Sequence, residues 1–215
     1  MGMGTRAAEQ PAGSAVMADD RFVDWIVRDT HWSRAGLPLA MVLLLIAPVV
    51  RRGMGRAPFL VYLQLPVYML HQYEEHAHGA FKADANRSLR PRGRRLTDRK
   101  IFWVNILGVW GVDVCALYLA RYTKPANGLV APYLAVVNGL AHTGRAIKER
   151  RYNPGLWTSL LLLLPIGSSS AYAIARISPA ARGAQVRGLG ASILLHVLVA
   201  FSILQGGRER PSGGD

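Results

Sequence analysis

Five ionisable side chains are packed into His71-Gln72-Tyr73-Glu74-Glu75-His76-Ala77-His78, at the end of an otherwise apolar run that begins near Ala57. On a helix of about 3.6 residues per turn, His71, Glu74, Glu75 and His78 stand at i, i+3, i+4 and i+7 and share a face roughly 100° wide, with His76 turned away. At membrane depth such groups are costly unless they pair, bind a metal or face water. Imidazole nitrogens and carboxylate oxygens together suit a divalent cation such as zinc or iron. The HExxH and HxxEH patterns of zinc proteases place ligands at i and i+4 beside a glutamate. His71 and Glu75 repeat that arithmetic and leave Glu74 as a general acid or base for water activated by the metal.

Two further stretches offer ligands. Asn138 and His142 stand at i and i+4 on one helix face, followed by Arg145, and His196 is the single polar residue within Leu194-Leu195-His196-Val197-Leu198. The expected metal set is therefore His71, Glu75, His142 and His196, with Glu74 as acid or base and Asn138 orienting a ligand. The competing reading is a hydrogen-bond network that joins helices in lipid. Weaker candidates are Asp113, expected to pair locally, Asn105, the Ser168-Ser169-Ser170 run, expected to serve helix packing, and His31, expected to anchor at the interface. Pro66 is expected to kink its helix.

The elements that must position these residues are apolar. The chain of 215 residues is 51% hydrophobic yet carries a net charge of +13, and its charges are segregated from its apolar runs. Ile101 to Ala120 holds Asp113 and no base, a segregation that excludes nucleic-acid binding as the reason for the charge. The single Cys115 forms no intrachain disulfide. Six apolar stretches, Leu37–Val50, Ala57–Gly79, Ile101–Ala120, Gly128–Thr143, Gly155–Ala175 and Leu189–Leu204, predict an all-α polytopic bundle of about six transmembrane helices. Lys and Arg divide 18 to 8 between alternate sides, which predicts cytoplasmic N- and C-termini in the cell membrane. His71 and His142 fall at similar depth, and His196 matches them only if its helix starts before Leu189 or tilts. Residues 1–20 and 206–215 read as disordered tails, with Met17 as an alternative start, 21–34 as an interfacial amphipathic helix, and 35–205 as one transmembrane domain.

His71-Gln72-Tyr73-Glu74-Glu75, Asn138-x-x-x-His142, Tyr152-Asn153-Pro154-Gly155 before a Leu-rich helix, and the lone His196 together resemble the HXXEE-domain membrane proteins over about Pro38 to Ala200. The resemblance implies a small integral membrane domain with an enzymatic or metal-binding site at His71, Glu74, Glu75, Asn138, His142 and His196. It does not extend to His76 or His78, and His76 is expected to be replaceable by a neutral residue. The leading expectation is a metal-dependent hydrolase or lyase acting on a lipid-like or other apolar small molecule. The alternatives are a metal-independent acid/base cyclase or isomerase on a terpenoid-like substrate, and a proton-coupled transporter or lipid-binding protein.

Overall fold

A computed structural model describes residues 21–177, 182–205 and 207–208. The tails expected over 1–20 and 206–215 lie outside the described residues, apart from 207–208. A short helical segment over residues 21–27 leads into α1 (His31–Arg52). Between them Asp29 and Thr30 adopt positive φ angles of 51° and 59°, and the Thr30 hydroxyl donates to the His76 carbonyl at 2.8 Å. The helix expected over 21–34 is thus divided: Phe22 and Trp25 are exposed before the break, and Trp32 is buried after it.

The helix expected over Ala57–Gly79 is also divided, into α2 (Arg56–Tyr62) and α3 (Gln64–His76). Pro66 has no N–H to offer the carbonyl of Tyr62 four residues earlier, so the helical hydrogen-bond ladder is interrupted where α2 ends, while Leu63 between the two helices keeps helical φ and ψ of -64° and -19°. Beyond α3, Gly79 at φ 69° redirects the chain into α4 (Ala80–Leu89), which leaves His78 outside the helix and exposed. The face expected to hold His71, Glu74, Glu75 and His78 therefore loses its last member. Next come α5 (Asp98–Tyr122), α6 (Val130–Glu149), α7 (Leu156–Ile177) and α8 (Arg182–Gln205). Thr97 caps α5 through the Lys100 amide. Both α5 and α7 contain π-helical turns, Ile106–Gly111 and Ser159–Leu163.

The chain runs between two ends of the bundle. At one end Arg94–Arg95 pairs antiparallel with Gly207–Arg208, Arg145 and Arg151 reach Asp84, and Arg34 donates to Ala77. At the other, Arg121 donates to the Gly53 carbonyl at 3.0 Å. The loops expected to share each side do meet. Four helices, Arg21–Arg52, α5, α7 and α8, are long and apolar enough to cross a membrane. The expected count of six falls to four by this measure because α2 and α3 are separate short helices and α6 ends in Arg145, Lys148 and Glu149.

Polar groups enter the apolar interior chiefly through α3. Buried α3 contributes Gln64, His71, Gln72, Glu75 and His76 to the interior, while α1 and α8 turn Leu45, Val49, Ile193, Leu194 and Phe201 outward. Small residues admit close approach: a Cβ on Gly167 would lie 2.9 Å from the Pro132 carbonyl of α6. In α7 the buried Ser170 accepts a hydrogen bond from Gln64 at 3.0 Å, which fits the packing role expected of the serine run.

Candidate functional site

The wholly buried His71 of α3 is fixed through both ring nitrogens. The Thr158 hydroxyl donates its proton to Glu74 Oε2 at 2.5 Å, so Thr158 Oγ1 accepts from His71 Nδ1 at 2.9 Å. That places the His71 proton on Nδ1 and leaves Nε2 to accept from the Asn138 amide at 2.9 Å. His142 of α6 is set in the same way. Asn153 donates its amide to the His142 carbonyl at 3.0 Å and therefore receives the Nδ1 proton on its oxygen at 2.7 Å.

Both Nε2 atoms stand beside Glu75, His71 at 3.6 Å from Oε2 and His142 at 3.6 Å from Oε1. One ligand atom from each of the three residues lies within 4.8 Å of the others. Ligands about 2.0–2.1 Å from a tetrahedral cation are separated by roughly 3.3 Å, so a small contraction would bring the set onto a common ion. Two imidazoles held by Nδ1 hydrogen bonds and one carboxylate, with a fourth position left over, fit a catalytic zinc or iron site. Asn138 occupies the His71 lone pair that a cation would use and would have to turn away.

His196 does not join this group. Its Nδ1 donates to the Ser192 carbonyl at 2.8 Å, and it lines the same cavity as Glu75 and His142. The helix that carries it begins at Arg182, seven residues before the apolar run, which supplies the extra depth its position required. His76, expected to point away and to be replaceable, is buried with Nε2 3.2 Å from Glu75 Oε2. Its ring packs between Trp32 and Phe81. The expected outward orientation fails because α3 is central and has little solvent-facing side for His76 to occupy.

Glu74 goes elsewhere. Its carboxylate accepts from the backbone amides of Trp157 (3.1 Å) and Thr158 (2.7 Å), the Thr158 hydroxyl and the Tyr152 phenol (2.9 Å). It caps the first turn of α7 from another helix, and it is not among the residues lining the cavity. Burial, reinforced by Glu74, pushes the Tyr152 phenol up to about 12. Gly155 completes the clamp at φ 91°, where a Cβ would lie 2.7 Å from the His71 ring and 2.9 Å from the His142 ring.

The cavity beside the cluster has a volume of about 220 Å³. Asn105, a weaker candidate for contact with the cluster, lines the same cavity and accepts from Gln72 at 2.8 Å, and Trp110 donates to the same Gln72. Asp113 is buried without a hydrogen-bond partner among the described residues, contrary to the local pairing expected of it.

Residues 62–169 match a family model described as a protein of unknown function with HXXEE motif. That is half of the chain. It belongs to the HXXEE family. No curated protein and no solved structure matches it. In this HXXEE protein the matched stretch contains α3, α6 and the 152–158 clamp, while His196 lies beyond it. Sequence reasoning treated Tyr152-Asn153-Pro154-Gly155 as a turn and a family mark and passed over Thr158. The available signal was a polar, Gly-containing segment set directly before an apolar helix.

Proposed function

We propose that this HXXEE protein is a membrane-embedded metal-dependent hydrolase or lyase for a lipid-like or other apolar substrate, with His71, Glu75 and His142 binding a divalent cation of the zinc or iron class. The observation that carries the reading is the pair of Nδ1 anchors, Thr158 and Asn153, which leave two unprotonated Nε2 atoms each 3.6 Å from one carboxylate. The cation would supply Lewis acidity and lower the pKa of bound water. His196, on the same cavity, would take the proton released there, and Glu74 would act through Thr158 by fixing the His71 tautomer. The six expected segments would occupy the bilayer of the cell membrane, with both termini cytoplasmic on the 18 to 8 division of Lys and Arg.

Metal analysis of protein purified without chelator tests this. About one equivalent of zinc, iron or manganese per chain is expected, lost in Glu75→Gln and His142→Ala. Active protein free of all three metals would overturn it. A second reading, metal-free acid/base catalysis on a terpenoid-like substrate, is favoured by one feature: Asn138 already holds the His71 lone pair. Full turnover in EDTA, abolished by Glu75→Gln, would select it.

A further inference from the structure

The cavity at the cluster is graded along its length. Its lining residues recur at successive turns, Lys100, Val104 and Gly108 on α5 and Ile203, Val199 and Leu195 on α8. Lys100 and Arg145 stand at one end, Glu75, His142 and His196 farther in, and Tyr68, Val109 and Leu134 beyond them. Arg145 pairs with Asp84 and Glu149, which Arg151 shares, and the nearby Asp98 pairs with Lys82 at 2.7 Å. Lys100 has no ion-pair partner among the described residues, and neither has Arg99, which lines the adjoining cavity, so the mouth keeps uncompensated positive charge.

A second cavity, of about 580 Å³, lies between α5 and α8 and is lined by Trp103, Leu107, Leu198 and Ser202. It shares Lys100, Val104, Gly108 and Val199 with the first. Helix α8 packs mainly on α6, which leaves its edge toward α5 open. A Cβ on Gly108 would meet nothing within 4 Å, so the passage is unobstructed at the level where the two cavities join.

The geometry points to a lateral portal between α5 and α8 that admits an amphiphile with an anionic head group from the bilayer, with Lys100 holding the head group and Val104 and Val199 flanking the chain. This deepens the proposed function by naming the substrate class and the direction of entry, and it rests on that reading of the His71, Glu75 and His142 site. The head group would remain at the charged mouth while the chain passes the cluster. Carboxylate and phosphate head groups share the required chemistry.

The test uses the full chain in nanodiscs of phosphatidylcholine. The probes are spin-labelled stearic acid, the equally labelled lysophosphatidate and the neutral methyl ester, read by the immobilised fraction in electron spin resonance. Both acids, or one of them, should be held about tenfold more tightly than the ester, the contribution of one charge-assisted contact. Which acid prevails identifies the head group. In an Arg99→Ala background, Lys100→Ala should abolish the preference and Lys100→Arg should keep it. Gly108→Trp, which projects into open space, should lower binding of every probe. Equal binding of ester and acids, or unchanged binding in Gly108→Trp, would overturn the portal. Metal content measured on the same samples separates the two ideas: charge preference in metal-free protein supports the portal and counts against the metal centre. A full metal complement without charge preference does the reverse.

Discussion

Adjacent glutamates on a helix point about 100° apart, and here that angle sends Glu75 to two imidazoles and Glu74 to the N-terminus of another helix. In the proposed function the motif supplies one ligand carboxylate and one positioning carboxylate. His76 extends the ligand side, since its ring fills the space between Trp32 and Phe81 while reaching Glu75. His76→Ala should cost about 1–3 kcal/mol through the void and the lost partner, visible as a lowered melting temperature in detergent. Unchanged melting and metal content would return His76 to the replaceable residue its helical position predicts. Gly155→Ala should be at least as severe for binding. Its φ of 91° strains a residue with a Cβ by about 1–3 kcal/mol, and that Cβ collides with both imidazoles. A fall in metal affinity of about tenfold or more is expected by competition with a fluorescent chelator, in line with losses from disturbing supporting contacts elsewhere.

At the scale of elements, the site depends on how α7 begins. The first turn of a helix presents unpaired N–H groups and a partial positive charge. The chain from Tyr152 to Thr158 offers those groups to Glu74 and simultaneously fixes His71 and His142. Cap and site form one unit. Glu74→Gln should release the Trp157 and Thr158 amides, with hydrogen exchange accelerated by about tenfold for a loss of roughly 1 to 2 kcal/mol. The same variant should move the Tyr152 phenol from about 12 down toward its ordinary 10.0, because the carboxylate that disfavours the phenolate is gone. An ultraviolet titration against Tyr152→Phe isolates that phenol, and an unmoved transition would show that Glu74 does not hold it.

For the molecule as a whole, an apolar core encloses the polar groups of α3, and the outer faces of α1 and α8 are apolar as well, where a water-soluble protein would be polar. The loops group into two ends, one near Arg121 and Gly53 and one where Asp84 gathers Arg145 and Arg151. With Cys115 replaced by Ser, cysteines at Met54 and at Ser88 should react with an impermeant maleimide from opposite sides of intact cells, Met54→Cys from outside. Labelling of both from one side would refute the six-pass topology. The resemblance to the HXXEE family was readable from His71-x-x-Glu74-Glu75 with Asn138, His142 and the Tyr152–Gly155 segment, because short motifs in a fixed order survive as sequence.

The sequence alone determined what is local: the helical period of the apolar runs, the break that Pro66 imposes, and the i, i+4 spacing that sets His71 beside Glu75. It also predicted which loops share an end, because charge alternates between apolar runs. Only the tertiary structure decided which direction each polar group of α3 would take. A helix enclosed on most sides has no single functional face, so periodicity could not distinguish His76 inside the bundle from His78 outside it. Nor could spacing reveal that Thr158, remote in sequence from His71 and Glu74, joins them, since that contact arises from helix packing.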